Sequence, residues 1–211
     1  MATIDERDLT ACELRLRSAV ETGETVDVRS GDEAFDNPGR GTAWGPERTV
    51  RSELLYELLV GYPGACRAIV LQGTRISGAL NLEAVSLVGP RILDGCFCDG
   101  PINLREAKAP VIRLNGCRLT CLAADQLETR GDLDLSHSTA AIISLRGAHV
   151  GGELILYRTT LTGDRWPLSL DGVTLRPPVE RSSDEDQRDH MALVADGLMV
   201  DGDMRMDHPC R

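Results

Sequence analysis

Apolar residues occur in pairs, two positions apart, along the middle of the chain. Because the side-chain period of an extended strand is two residues, each pair indicates a short strand with one side toward a core. Between these pairs lies a second series, in which a small or β-branched residue comes two positions before an apolar one. The first series is Ile69/Leu71, Leu80/Leu82, Ile102/Leu104, Ile112/Leu114, Leu133/Leu135, Ile143/Leu145, Leu154/Leu156 and Leu168/Leu170, with Arg91/Leu93 in register. The second is Thr74/Ile76, Val85/Leu87, Cys96/Cys98, Ala107/Ala109, Cys117/Leu119, Ala148/Val150, Thr159/Leu161 and Val173/Leu175.

The pairs recur with a period that is typical of a repeat fold. From Leu71 to Leu114 the apolar positions of the first series advance by 11, 11, 11 and 10 residues. A residue of the second series lies five positions after the start of each of these intervals. Such short strands need a corner after each one, and four of them make a coil of about 21–22 residues. We predict a mainly β fold, a right-handed parallel β-helix of quadrilateral, pentapeptide-repeat-like section, with about five coils. Glycines with positive φ are expected at the corners, at Gly73, Gly95, Gly116, Gly147 and Gly172.

The pattern is interrupted toward the C-terminal end. Pairs are hard to place across residues 121–130 and 162–167, so we expect distorted corners there. The polar, proline-containing stretch at about 176–190 predicts a disordered loop. The pattern then resumes at Leu193 and stops in mid-coil, which predicts an uncovered apolar end. This terminal coil is a candidate surface for a homodimer or another protein partner, at Leu198, Val200, Met204 and Met206.

We predict that residues 1–65 form an N-terminal α-helical cap and that residues 66–211 form the parallel β-helix. Within the cap, apolar spacing predicts a helix over 5–22 and a short strand over Thr25–Arg29. A second helix is expected to begin at Gly45-Pro46, with proline in the first helical position, and to stop at Gly61. The two helices would cover the open first coil so that it cannot pair with another chain. The residues expected inward on the second helix are Val50, Leu54, Leu55, Leu58 and Leu59.

Charge is distributed unevenly along the 211 residues, whose formal net charge is −10. Residues 1–65 and 176–211 carry the acidic excess, while residues 66–175 hold 11 acidic and 11 basic groups. This balance argues against a generally basic nucleic-acid binder, so no nucleic-acid partner is expected. No apolar run approaches the roughly 20 residues of a membrane span, so none is expected. Seven cysteines with irregular spacing and no secretion signal predict reduced thiols in a cytoplasmic protein, and the single lysine, Lys108, hints at a bacterial origin.

Candidate chemistry is sparse. Cys96 and Cys117 occupy the same repeat position and should stack on one face, while Cys96-Phe97-Cys98 directs two sulfurs inward. Single thiols along strands do not match the knuckle spacing of structural zinc, and buried core thiols are the favoured interpretation. The glycines from Gly39 to Gly45 have the wrong spacing for a dinucleotide site. No residue is assigned to catalysis, a cofactor or a metal, since neither the outward Asp132/Asp134 nor the histidines make a cluster: His137, His149, His190 and His208.

One stretch is distinctive, the segment Trp44-Gly-Pro-Glu-Arg-Thr-Val-Arg-Ser-Glu-Leu-Leu55, followed by the run from Ile69 to Leu82. It resembles the segment that introduces the repeats in a bacterial, pentapeptide-repeat-like β-helix family often labelled membrane-associated oxidoreductase. The resemblance covers nearly the whole chain and implies a β-helix. It brings no catalytic motif that can be placed on these residues.

We therefore expect a non-catalytic β-helix scaffold that binds another protein along a face or through its C-terminal coil. Two alternatives stay open. One is a DNA mimic that modulates a topoisomerase, which the neutral middle segment disfavours. The other is the oxidoreductase of the resembled family's label, so enzymatic activity is uncertain and less favoured.

Overall fold

The computed structural model describes residues 6–60, 68–164, 167–175, 193–195 and 198–200. Three α-helices lie in its N-terminal part, α1 Ala11–Thr22, α2 Glu33–Asp36 and α3 Ser52–Val60, with 3-10 helices at Glu6–Asp8, Pro38–Ala43 and Pro46–Arg48. The strands are β1 Thr25–Asp27, β2 Thr49–Arg51, β3 Ile69–Gln72, β4 Arg75–Ser77, β5 Leu80–Asn81, β6 Arg91–Asp94, β7 Phe97–Cys98, β8 Ile102–Asn103, β9 Lys108–Ala109, β10 Ile112–Asn115, β11 Arg118–Ala123, β12 Glu128–Thr129, β13 Leu133–Asp134, β14 Thr139–Ser144, β15 His149–Val150, β16 Leu154–Ile155, β17 Thr160–Leu161, β18 Leu168–Ser169, β19 Thr174–Leu175, β20 Leu193–Val194 and β21 Met199–Val200.

Parallel pairing between successive windings builds a β-solenoid of about five turns, as predicted. Sheet A has seven strands in the order β1-β3-β6-β10-β13-β16-β20, and sheet C has the four strands β19-β15-β12-β9. Sheet B has ten strands and forms two sides of each coil, because β14 pairs with β17 through its first half and with β18 through its second. One coil takes 21 residues where Ile112 pairs with Leu133 and Leu133 with Leu154.

The core consists of the stacked inward-facing residues that the alternation predicts. Leu133, Leu135, Ile143 and Leu145 are all fully buried. The distorted corner expected over residues 121–130 is wrong: Leu122/Ala124 and Leu127/Thr129 occupy regular inward positions, and β11 pairs in register with β14. The apolar pattern does not reveal these pairs, because the second member of each is small or polar.

Residues with positive φ mark two corners of the coils. The five glycines expected there all have φ between +58° and +67°. Elsewhere the same corners are made by residues with a Cβ atom, for which this conformation is strained. These residues are Ala84, Glu106, Gln126, His137 and Arg158, with φ between +52° and +58°.

The N-terminal segment is more than a cap, because it adds one strand to each of two sheets. β1 pairs with β3 in sheet A, and β2 pairs with β4 in sheet B. The helix expected from Pro46 is wrong in its first part: Pro46–Arg48 is a 3-10 turn, and the α-helix begins only at Ser52. Pairing with β4 accounts for the difference, since it seats Val50 beside Ile76 in the core. Sheets A and B thus continue on both sides of the proposed 65/66 boundary.

The edge of β2 is closed by the first turn of α1. Thr10 caps this helix, so α1 begins at Ala11 instead of residue 5, and the Thr10 hydroxyl donates to the Thr49 carbonyl at 3.2 Å. Glu13 is fully buried, and its carboxylate accepts the Arg51 backbone N–H at 2.9 Å. The Arg51 guanidinium also donates to the two carboxylate oxygens of Glu13, at 2.8 and 2.7 Å. Backbone groups that would otherwise template another strand are therefore satisfied within the chain.

The C-terminal coils contain an insertion. Ile143 pairs with Leu168, 25 residues on, where one coil elsewhere takes 21. The interruption expected across 162–167 is confirmed, although residues 165 and 166 lie outside the described part. The loop predicted at about 176–190 lies outside it too, as do Met204 and Met206. Farther along the chain, β20 pairs with β16 and β21 with β17, so both sheets continue.

Candidate functional site

The stacked cysteines form part of a hydrogen-bonded ladder inside the solenoid. Cys96 and Cys117 are buried at equivalent positions, and each thiol donates at 3.4 Å to a carbonyl of the preceding coil, Leu71 and Leu93 respectively. Hydroxyl groups do the same in the next two coils, from Ser138 to the Leu114 carbonyl and from Thr159 to that of Leu135. The thiols therefore serve as small donors to strand carbonyls of the preceding coil.

Burial makes four of the cysteine thiols poor nucleophiles. It raises the pKa of Cys98 and Cys117 well above the ordinary value. Burial also raises the pKa of Cys12 to about 11, and that of the half-buried Cys121 thiol. Since the thiolate is the reactive form, these four groups are chemically quiet at neutral pH. Within the described residues, no three His, Cys, Asp or Glu side chains converge in a way that would hold a metal ion.

The other polar candidates have local roles. Asp134 accepts hydrogen bonds from the backbone and hydroxyl of Ser136, at 2.9 and 2.6 Å. Asp132 accepts the Glu153 backbone N–H at 3.1 Å and lies 3.8 Å from Arg113. His137 is exposed at a corner and His149 is exposed on strand β15 of sheet C, while His190 and His208 lie outside the described residues.

Two cavities lie near the N-terminal segment. An apolar void of about 40 Å³ lies between α3 and the first coils, lined mostly by leucines and by the buried Arg91, and it has room for little more than a water molecule. An open groove of about 650 Å³ lies beside the 28–48 segment. Two of its carboxylates are already paired, Asp27 with Arg29 at 2.8 Å and Asp36 with Arg48 at 2.9 Å.

The sequence-predicted partner surface is described only in part. Leu198 is partly buried against the core, while its neighbour Met199 is 59% exposed. The backbone of Val200 pairs with that of Leu161. A role for Leu198, Val200, Met204 and Met206 in partner binding stays a prediction.

The outer surface of sheet B carries a different candidate, which we call the threonine face. Arg118, Thr139, Thr160 and Met199 follow one another in register on β11, β14, β17 and β21. Their inward neighbours, such as Ala140, are buried, so the members of this row point outward. Ile142, at the corner, is 39% exposed. The complete face consists of Arg118, Thr120, Thr139, Ala141, Ile142, Thr160, Thr162 and Met199.

Other sides of the solenoid carry charge in alternation. One corner presents Glu83, Arg105, Asp125, Arg146 and Asp171 in successive coils, with carboxylate–guanidinium distances of 3.6 and 3.9 Å in two of the contacts. On sheet C, Lys108 and Glu128 pair at 2.9 Å. The centre of the threonine face has no charge, which sets it apart from these surfaces.

The part of sheet B nearest the N-terminus is covered by the chain itself. Phe97 is outward-facing, yet only 7% exposed, because the Pro38–Ala43 helix lies on it. The contact requires glycine, since a Cβ atom at position 41 would fall 2.2 Å from the Phe97 Cβ. Arg48 anchors this segment: its Nε donates to the Gly73 carbonyl at 3.0 Å, and its guanidinium lies 4.0 Å from the centre of the Trp44 ring. The distinctive Trp44–Leu55 stretch thus contains the anchor and β2.

The threonine face was not predicted from the sequence, because the prediction used the inward positions of the repeat and not the outward ones. A usable signal was present: the outward positions in two consecutive coils, 139/141 and 160/162, hold threonine and alanine, where earlier coils hold arginine, aspartate and phenylalanine. Comparison of the chain with protein-family models, with curated proteins and with solved structures gives no match. Among the described residues, no helix is long and apolar enough to cross a membrane.

Proposed function

We propose that this protein is a non-catalytic β-solenoid scaffold that binds another protein, and that the threonine face is its binding surface. The observation that supports this proposal is the uncharged centre of the face, beside the exposed Ile142 and Met199 side chains. The cores of protein interfaces are depleted of charged residues, because each charge must be stripped of water on binding. Threonine, alanine and isoleucine lose little hydration there.

The position of the face also favours binding. Its outward residues stand on parallel strands that neighbouring coils hold in register, so little conformational entropy is lost when a partner packs on them. The four-residue insertion between β17 and β18 borders the face beside Ile142. In repeat proteins, such insertions often lie on the binding surface.

The two alternatives have less support. A DNA mimic needs a continuous negative surface, whereas Glu83, Arg105 and Asp125 alternate in sign along their corner. The oxidoreductase label of the resembled pentapeptide-repeat-like family gains no support from Cys98 and Cys117, because burial raises the pKa of both thiols well above the ordinary value. The stretch that carries the resemblance contains strand β2 and the Arg48 anchor. A bacterial, cytoplasmic setting is part of the proposal.

The experiment is cross-linking and affinity capture from the cells that make the protein, with tagged wild type compared with Thr139→Arg. Arginine in the middle of the face must be desolvated by any partner, so we expect recovery of the bound protein to fall about tenfold or more, which corresponds to about 1.4 kcal/mol. The matched control is Thr174→Arg, the same substitution at an exposed position on sheet C.

The proposal is supported if the control retains the proteins that Thr139→Arg loses, while both variants unfold at the wild-type temperature. Equal recovery by wild type and Thr139→Arg would show that the face binds nothing, and the proposal would be withdrawn. Mass spectrometry of the captured proteins identifies the partner, including untagged copies of this chain.

A further inference from the structure

An exposed phenylalanine stands on a loop that hydrogen bonds hold in place. Phe35 lies on α2, none of whose four residues is buried, and it is itself 59% exposed. The surrounding residues 30–37, which we call the Phe35 loop, are ordered by Asp36. Its carboxylate accepts the backbone N–H groups of Ser30 and Gly31 at 2.9 and 2.8 Å. A large apolar side chain is thus presented to solvent in one fixed position.

The open groove of about 650 Å³ adjoins the Phe35 loop. Gly31, Glu33 and Asp36 of the loop line it, and so does Gly95, at a corner of the coils. The ideal Cβ positions of Gly31 and Gly95 meet no atom beyond their chain neighbours within 4 Å, so the groove is open above both. Its volume falls in the range of about 300–1,000 Å³ that is typical of ligand-binding clefts. The groove therefore has room for a side chain of another molecule.

Negative charge is in excess along this groove. Residues 27–36 contain four carboxylates and one guanidinium, that of Arg29. Two of the carboxylates pair with arginines. The other two, on Asp32 and Glu33, form no ion pair with any residue that the structure describes. A cationic group that enters the groove is therefore attracted, whereas the phosphate groups of a nucleic acid or an anionic lipid are repelled.

We propose that the Phe35 loop and the groove beside it form a second binding site, separate from the threonine face, for a basic peptide segment of a partner protein. An arginine or lysine of that segment lies in the groove and donates to the Glu33 carboxylate. An apolar side chain next to it packs on the Phe35 ring. The charge-assisted hydrogen bond fixes the orientation of the segment, and the aromatic ring supplies a large apolar contact area.

Pre-organisation favours a binding role for Phe35 over a role in folding. More than half of the residue is exposed, so it adds little buried surface to the protein's own core. The loop is ordered before a partner arrives, so little conformational entropy is lost on binding. Aromatic side chains held in this way carry much of the binding energy of protein interfaces, and neighbouring charges select the partner.

Selection of displayed peptides tests the proposal. A phage library of short random peptides is selected on the immobilised full chain, and the enriched peptides are synthesised with a fluorophore for anisotropy titration. We expect arginine or lysine beside an aliphatic or aromatic residue, and an affinity that falls as salt is added. Phe35→Ala and Glu33→Lys should each weaken binding about tenfold or more. The matched controls are Leu14→Ala and Glu24→Lys, the same substitutions at exposed positions elsewhere.

A substitution at Gly95 blocks the groove and leaves the loop unchanged. Gly95 has φ +58°, the value that His137 adopts two coils farther along the same corner, so the fold accepts a histidine in this conformation. Gly95→His should place an imidazole in the groove and abolish peptide binding. Gly116→His is the matched control, because Gly116 has φ +59° at the same corner one coil farther on and is not among the residues that line the groove.

The proposal is overturned if the library yields no cationic peptides, or if the peptides bind Phe35→Ala and Gly95→His as tightly as they bind the wild type. Loss of binding in Thr139→Arg instead would place the peptides on the threonine face and would equally overturn the second site. The unfolding temperature of each variant is measured beside its affinity. If Gly95→His does not fold, the substitutions of the exposed Phe35 and Glu33 decide the outcome.

Discussion

Glu13 joins the capping helix to the edge of sheet B, and its replacement by alanine should strongly destabilise the protein. The carboxylate accepts the Thr10 backbone N–H at 3.0 Å and the Arg51 backbone N–H at 2.9 Å, besides two guanidinium contacts. In Glu13→Ala the buried strand-edge N–H has no acceptor. The half of the capping box contributed by Glu13 is also lost.

The magnitude follows from these contacts. Removing one member of a buried ion pair costs about 3–5 kcal/mol when the remaining charge stays buried. The Arg51 side chain is 37% exposed, so water can replace part of the lost contact. The unsatisfied backbone N–H costs about 1–3 kcal/mol. Because these contributions overlap, we expect the free energy of unfolding to fall by about 3 kcal/mol.

Urea denaturation followed by circular dichroism measures this loss, with Glu24→Ala as the control at an exposed glutamate near the other end of α1. The control should change stability by less than about 0.5 kcal/mol. If Glu13→Ala unfolds at the same urea concentration as the control, the edge contact does not contribute to stability and the reasoning is wrong.

The same site predicts a dependence on acid. Burial opposes ionisation of Glu13, but hydrogen bonds from Arg51 and Thr10 outweigh it and hold its pKa below the ordinary 4.5. A folded pKa below the unfolded one means that the carboxylate stabilises the fold fully above about pH 4.5 and loses this effect as the pH falls through the folded value. Glu13→Gln should remove that part of the acid sensitivity. Equal slopes for the two proteins below pH 4.5 would contradict the assignment.

The remaining predictions concern corners, the segment over sheet B and the ladder. Gln126→Gly should raise the free energy of unfolding by roughly 0.5–1 kcal/mol by relieving a strained positive φ, whereas Gly147→Ala should lower it by a similar amount, as urea denaturation will show. Gly41→Val should displace its helix from Phe97 and speed proteolysis within residues 28–48, with unchanged cleavage counting against the contact. Cys117→Ser should keep its hydrogen bond and have a free energy of unfolding within about 1 kcal/mol of that of the wild type. Cys117→Val should lower the free energy of unfolding by about 1–3 kcal/mol, because it leaves the Leu93 carbonyl without this donor. Equal stabilities of the two variants would refute the ladder.

The inward half of the fold could be predicted because burial imposes an alternation that the sequence records directly. Leu133, Leu135, Ile143 and Leu145 are apolar for no reason other than their position in the core. The strand at Thr49–Arg51 could not be predicted, since its conformation depends on pairing with β4, and a proline just before it is equally compatible with a helix start. Tertiary pairing decided between the two.

The candidate site was less predictable, because outward residues obey no comparable rule. Thr139 and Thr160 are separated by 21 residues, and only the coil register shows that they are neighbours. Phe97 illustrates the same limit: alternation places it outward, yet it is buried by a glycine-containing helix more than fifty positions earlier. The residues that share an outer surface can therefore be identified only after the coils have been aligned.

The insertion between Thr162 and Pro167 has a consequence for how such a chain can evolve and be engineered. The extra residues fall between β17 and β18, and β18 still pairs with β14 in register. Each winding contacts only its neighbours, so added sequence is not transmitted along the column. New loops can thus be grafted at this corner, one at a time, and the chain can acquire a new recognition element without redesigning its interior.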